Sequence, residues 1–67
     1  MIRLKAERVA RGWSQFELGR RANVHNTIVS QLENRLLRLN PDSAPLRRLA
    51  NAVGWANSPE ELLREVD

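Results

Sequence analysis

Two short helical segments joined by only three residues constrain this chain more than any other feature. The second segment, residues 26–34, carries Val29 and Leu32 three positions apart, so both can point to one buried face. A helix over residues 14–22 is expected before it, because Ser14 and Glu17 have the spacing of a capping box. The pattern predicts two short helices on either side of one tight turn.

Four short, uncharged hydrogen-bonding side chains of the second segment lie off that buried face. Such side chains read base edges in a DNA major groove, and glutamine can bond adenine at both N6 and N7. Asn26 could instead cap its own helix, and Thr27 could contact a thymine methyl or a phosphate, or also serve as the cap. With the tight turn, this row makes residues 14–34 a helix-turn-helix. The candidate base-reading residues are Asn26, Thr27, Ser30 and Gln31.

Length and composition favour one small folded domain, residues 1–67, with a thin core. Hydrophobic residues make up 42% of the chain, which favours folding over disorder. The absence of cysteine excludes a disulfide framework, a thiolate nucleophile and a cysteine zinc site. No apolar run approaches the roughly 18 residues of a membrane span, and no signal peptide is visible. We therefore expect a cytoplasmic protein.

The charge is unevenly distributed along the chain. Residues 1–22 hold six basic and two acidic side chains, a balance of +4, whereas residues 41–67 hold three basic and five acidic ones, a balance of −2. Residues 23–40 add two basic and one acidic side chain, a balance of +1. The basic N-terminal two-thirds of the chain therefore contains the helix-turn-helix, which suits a nucleic-acid partner. The alternative is an ordinary solvated helix face in an arginine-rich chain, since ten of the eleven basic residues are arginine.

The helix signals predict a compact all-α domain of five short helices and no strands. The first helix, residues 2–11, stops at Gly12. Its buried stripe contains either Ile2, Ala6, Val9 and Trp13 or Leu4, Arg8 and Arg11.

The fourth and fifth helices each have a proline near their first residue. The fourth follows Pro41, with Asp42 as its N-cap, and ends at Gly54. The fifth begins at Ser58, where Glu61 completes a second capping box.

Gly19, inside the second helix, indicates a close approach of two backbones.

Three groups of residues together resemble the lambdoid-repressor and Cro class of helix-turn-helix domains, the XRE family. The groups are residues 12–18, residues 23–24 and residues 29–34. The likeness continues through residues 49–54 to the fifth helix, so it covers nearly the whole chain. The resemblance implies a five-helix domain like that of lambda repressor, with its third helix in the major groove. It also implies a transcriptional regulator, a repressor that binds a palindromic operator as a homodimer.

The resemblance also implies roles for residues outside the recognition row. Gln15 contacts the DNA backbone, and Asn34 contacts a phosphate. Arg8 of the first helix pairs with Glu33 of the third. The sequence departs from the family pattern at three places: Arg35 stands where a helix-ending glycine is usual, Phe16 where a polar residue is usual, and Asn23 where a turn glycine is common.

Further phosphate contacts are expected near the ends of the third helix. His25 stands beside its N-terminus, where phosphate binding is favoured. Arg35 and Arg38 lie in the loop that follows it, which we expect to grip the backbone. His25 is the only histidine, so we expect no metal site.

Apolar residues in the second half of the chain are candidates for a dimer contact. A loop with several leucines must fold back onto the core or be covered by a partner chain. The candidates are Leu36, Leu37, Leu39 and Trp55. No catalytic constellation and no phosphate-binding glycine loop appear, so we expect neither an enzyme nor a cofactor.

Two other interpretations stay open. The chain could be the antitoxin of a toxin–antitoxin pair, with the leucines binding a toxin protein. It could also be a protein-interaction domain that has lost DNA binding, because a fold does not fix a function. The retained Gln15 and Gln31 and the basic N-terminal half argue against the second alternative.

Overall fold

The computed structural model describes residues 1–66. This part of the chain contains four α-helices and one 3-10 helix. The domain is all-helical, as the sequence predicts. The elements are α1 (Arg3–Ala10), α2 (Gln15–Ala22), α3 (Asn26–Glu33), α4 (Ala44–Ala52) and the 3-10 helix (Pro59–Leu63).

The fifth predicted helix is a five-residue 3-10 helix, and its capping box does not form. The side chain of Ser58 accepts no capping hydrogen bond; its backbone carbonyl accepts from the N–H of Glu61 at 3.0 Å. Arg64 then turns to an extended conformation, and its carbonyl accepts a 2.8 Å hydrogen bond from the N–H of Arg3. Pairing with the N-terminal residues therefore ends this element before an α-helical turn can develop.

Two predicted helix starts have different outcomes. At α2, the hydroxyl of Ser14 accepts from the N–H of Glu17 at 3.0 Å, which is the first half of the predicted capping box. At α4, the predicted N-cap is wrong: Ser43, not Asp42, holds that position. The N–H of Asp42 donates instead to the side-chain carbonyl of Asn40 at 2.9 Å. This local turn delays the helix by one residue.

Each of the four α-helices ends in the same motif. One residue takes a left-handed conformation, and the next N–H reaches back to the carbonyl five residues earlier, at 2.8–3.2 Å. Asparagine tolerates that conformation at the end of α2. The arginine that adopts it at the end of α3 carries a steric cost of roughly 1–2 kcal/mol. The left-handed residues are Gly12, Asn23, Arg35 and Gly54. The loop after α3 thus begins along the usual path although its glycine is missing.

The core lies where α1, α2, α3 and α4 meet the 3-10 helix. Neither predicted stripe of α1 matches its buried side completely. Leu4 of the second stripe and Ile2 of the first are buried. Val9 of the first stripe and Arg11 of the second are exposed. The remaining buried hydrophobic residues are Leu18, Ala22, Val29, Leu32, Leu46, Leu49, Ala50, Val53 and Leu62.

Gly19 brings α2 against the start of α3, as expected. A Cβ atom at this position would lie 2.5 Å from the carbonyl oxygen of Val24 and 3.2 Å from the backbone nitrogen of Asn26. Both are backbone atoms and cannot swing away. The missing side chain therefore fixes the distance between the two helices of the helix-turn-helix.

The two ends of the described chain lie together. Ile2 and Glu65 form an isolated antiparallel β-bridge, and the N–H of Val66 donates to the carbonyl of Met1 at 2.9 Å. Among residues 1–66, no helix is long and apolar enough to cross a membrane.

Candidate nucleic-acid interface

Helix α3 has one buried side and one outward row of polar side chains. Val29, Leu32 and Glu33 are buried. Thr27 is exposed, and the other three candidate base readers are partly exposed: Asn26, Ser30 and Gln31. The structure therefore brings all four candidates onto one helix with solvent access.

His25 is the N-cap of α3, and this overturns the suggestion that Asn26 or Thr27 caps it. The Nδ1 atom of His25 accepts a hydrogen bond from the backbone N–H of Thr27 at 3.0 Å. The side chains of Asn26 and Thr27 are not used for the cap. The capping geometry also makes Nε2 the ring nitrogen that can donate to a neighbouring molecule.

At the other end of α3, Glu33 and Arg8 form a two-point ion pair. The Nε and Nη2 atoms of Arg8 donate to the two carboxylate oxygens of Glu33 at 2.7 and 2.9 Å. The Nη1 atom of Arg8 donates to the carbonyl of Trp13 at 2.7 Å. This arrangement ties α1 to α3 and to the turn before α2.

Gln15 joins the same cluster. Its side-chain nitrogen donates to Glu33 at 3.0 Å, so one amide hydrogen points into the protein. An amide nitrogen carries two hydrogens, and the second remains able to meet a phosphate. The partly exposed Gln15 lies at the first position of α2, where helix N–H groups also favour an anion.

The two arginines of the loop differ in their surroundings. Arg35 pairs with Glu65 through Nε at 2.9 Å and through Nη2, so its guanidinium points to the C-terminal segment. This pairing lowers the pKa of Glu65. Arg38 is exposed on the loop. Asn34, also exposed, bonds the hydroxyl of Ser30 at 3.4 Å and lies at the end of the outward row.

Charge on the exposed side of α2 is partly neutralised within the helix. Glu17 accepts from both Arg20 and Arg21, the latter at 2.6 Å, and hydrogen bonding from Arg20 is the main reason that the pKa of Glu17 is lowered. The guanidinium carbon of Arg21 also lies 4.4 Å from the centre of the Trp13 ring. The positive field of α2 is therefore weaker than its arginine count suggests.

Of the four candidate dimer residues, only Leu36 projects fully from the surface. Its side chain is 76% exposed, whereas Leu37 and Leu39 are partly buried against the core. Trp55 also packs on the core, and its Nε1 donates to the carbonyl of Ser58 at 3.0 Å. Leu37 and Leu39 thus fold back onto the core, the first of the two alternatives for this loop, and Leu36 is the leucine left for a partner chain to cover.

A groove of about 870 Å³ opens beside Leu36. Its apolar lining comes from the core side of the loop and from the N- and C-terminal segments. Charged side chains of both signs stand around it. Among residues 1–66, no three His, Asp or Glu side chains lie close enough together to hold a metal ion.

Sequence reasoning did not assign a role to Phe16, which the structure leaves 65% exposed on α2. The available signal was the family departure itself, since an apolar residue stood where a polar one is usual. His25 as the cap was also missed, because histidine is not a preferred N-cap residue.

A family model described as helix-turn-helix matches residues 4–54, which contain α2 to α4 and all of α1 except its first residue. No curated protein and no solved structure matches the chain.

Proposed function

Because the chain belongs to the helix-turn-helix family of the XRE and Cro-like type, we propose that it binds duplex DNA sequence-specifically and represses transcription. The main supporting observation is α3, which is anchored on one side by Glu33 and exposes a row of short polar side chains on the other. An anchored helix with such a row can present hydrogen-bonding groups to base edges in a fixed register.

In the proposed complex, α3 lies in the major groove. Gln31 takes adenine through its amide, and Asn26, about 1.4 helical turns earlier, has the same chemistry. Thr27 and Ser30 lie between them and are small enough to let the helix come close. Since His25 supplies the cap, the hydrogen-bonding groups of Asn26 and Thr27 are available to bases.

Phosphate contacts would come from both sides of α3. Gln15 uses its second amide hydrogen together with the N-terminal N–H groups of α2. His25 donates from Nε2, and Asn34 and Arg38 contact the other flank. Arg35 is the weakest candidate, because a phosphate would have to displace Glu65.

The proposed working form is a homodimer on a palindromic operator, since one module of this size buries little surface on DNA. Leu36 stands on the edge of the groove between its loop and the C-terminal segment. A two-fold axis near this edge would let each Leu36 enter the groove of the other copy. Basic Arg64 and acidic Glu60 beside the groove make it electrically self-complementary.

Selection of bound sequences from a random duplex library tests sequence-specific binding. Gln31→Ala should lose about 1–3 kcal/mol on the best site and relax the preference at one base pair per half-site. Arg38→Ala is the matched control, and it should weaken binding to all sequences alike and reduce the salt slope by about one unit. An unchanged preference in Gln31→Ala would show that the proposed register of α3 is wrong.

Stoichiometry on the selected site tests the dimer. Two chains on an inverted repeat with half-sites about 10 base pairs apart, or about 34 Å, are expected. Leu36→Asp should lower the cooperativity of binding without changing the selected half-site. One chain on an asymmetric sequence would refute the dimer. Binding of a toxin protein to the Leu36 groove in place of a second copy would then favour the antitoxin alternative.

A further inference from the structure

Phe16 is an exposed aromatic residue at the second position of α2. Its side chain is 65% exposed, although a domain this small has few aromatic rings to use in its core. The neighbouring Leu18 is fully buried, so α2 already has its inward anchor without Phe16. The ring therefore contributes apolar surface that the folded chain itself does not cover.

The surroundings of Phe16 lie on the proposed DNA side of the domain. The ring lines a shallow groove between α2 and the first turn of α3, together with Gly19, Arg20, Asn23, Val24, His25 and Asn26. Residues 16, 19 or 20 and 23 recur at helical spacing, so they form one face of α2. The missing side chain of Gly19 keeps this face close to Asn26. Phe16 thus stands beside the end of α3 that would enter the major groove.

We propose that Phe16 contacts the C5 methyl group of a thymine in each half-site, next to the base that Asn26 reads. This inference rests on the proposed DNA-binding function and adds a specificity-determining residue to it. Base edges in the major groove present hydrogen-bonding groups, and the thymine methyl is their apolar feature. An exposed ring brought against polar base edges would lose hydration without gain. A methyl group instead lets both apolar surfaces leave water together.

The test removes the methyl from the DNA and the ring from the protein. Each thymine of the selected site is replaced in turn by deoxyuridine, which keeps the hydrogen-bonding edge but lacks the methyl. At one position per half-site, wild-type affinity should fall about fourfold, the factor expected for losing burial of one methyl-sized group. Phe16→Ala should bind the thymine site at least about fourfold more weakly and should not respond to deoxyuridine there. Phe16→Leu, which keeps an apolar side chain, should retain part of the response.

Val9→Ala is the matched protein control, because Val9 is an exposed hydrophobic residue on α1, outside the helix-turn-helix. It should bind both DNAs as the wild type does. Thermal unfolding of the Phe16 variants should stay close to wild type, because the ring is exposed.

Three outcomes would overturn the inference. Equal losses on thymine and deoxyuridine sites in Phe16→Ala would assign the ring to the sugar-phosphate backbone. No loss at all, with Gln31→Ala still relaxing the preference, would leave the DNA-binding function in place and remove Phe16 from the interface. A wild-type chain that selects no sequence would overturn the proposed function itself.

Discussion

Two arginine–carboxylate pairs flank the C-terminal end of α3, and they share a chemistry but not an environment. Glu33 pairs with Arg8, and Arg35, two residues later, pairs with Glu65. The side chains of Arg8 and Glu33 are 12% and 1% exposed. Those of the second pair, Arg35 and Glu65, are 59% and 54% exposed. The two ion pairs therefore differ mainly in how far they are buried.

The comparison shows how one helix can be fixed on one side and adjustable on the other. Removing one partner of a buried pair strands a charge away from water, which is strongly destabilising. Removing one partner of an exposed pair leaves the other in the water that already surrounds it, at little cost. The orientation of α3 against α1 should thus be rigid, while the loop after Arg35 can be held by weak contacts.

The largest expected effect is at the buried pair. Glu33→Ala and Arg8→Ala should each destabilise the domain by about 3–5 kcal/mol, measured by urea unfolding. The double alanine variant should cost much less than the sum. Because either single variant could unfold so small a domain, Arg8→Met with Glu33→Leu serves as a second test and should remain folded. Small, additive effects would contradict the role given to burial.

The next largest effect is expected at Gln15, which bonds the buried Glu33 carboxylate. Gln15→Ala removes one hydrogen bond to the buried, charged Glu33 carboxylate and should cost about 1.5–3 kcal/mol. Gln15→Glu should cost more, because it places a second carboxylate beside the first. Thermal unfolding of both variants at neutral pH gives the order. If Gln15→Glu is the more stable variant, Gln15 is not coupled to Glu33.

A smaller effect separates the backbone of Arg35 from its side chain. Arg35→Ala and Arg35→Gly both delete the exposed pair, but glycine accepts the left-handed conformation without a clash. Arg35→Gly should be more stable than Arg35→Ala by about 1 kcal/mol. Equal unfolding midpoints would mean that the end of α3 relaxes when the arginine is removed.

The smallest effect concerns the exposed pair itself. Hydrogen bonding from Arg35 lowers the pKa of Glu65, so its contribution to stability is present above the pKa of an unfolded glutamate and is lost as the pH falls through the lowered value. Glu65→Gln should therefore be slightly less stable to unfolding than wild type at neutral pH and low salt. The difference should vanish in acid and in 1 M salt, where screening acts within about 3 Å. A salt-insensitive difference would indicate a structural role for Glu65.

Local signals in the sequence account for most of the fold. Ser14 with Glu17, and the glycines at positions 12 and 54, define helix ends within one or two residues. The fourth helix was displaced by one residue because Asn40 forms a turn with Asp42. The fifth became a 3-10 helix because the chain after it pairs with the N-terminus, a contact that no local pattern reveals.

The candidate site shows the same division. The outward row of α3 follows from helical spacing, so its solvent access could be predicted. The hydrogen bond from Gln15 to Glu33 joins residues 18 positions apart and depends on how α2 crosses α3. The choice of His25 as the cap depends on the rotamer of its ring. Neither can be derived from residue type alone.

The backbone pairing of Met1 with Val66 and of Arg3 with Arg64 makes the described chain almost a closed ring. Joining the two ends through a few flexible residues would complete this ring without moving a helix. New ends could then be opened in the loop between α3 and α4, after the Arg35 motif that ends α3 and before the Asn40–Asp42 turn that precedes α4. Such a circular permutant should keep the wild-type helix content by circular dichroism, because the order of the elements along the chain is not what holds them together.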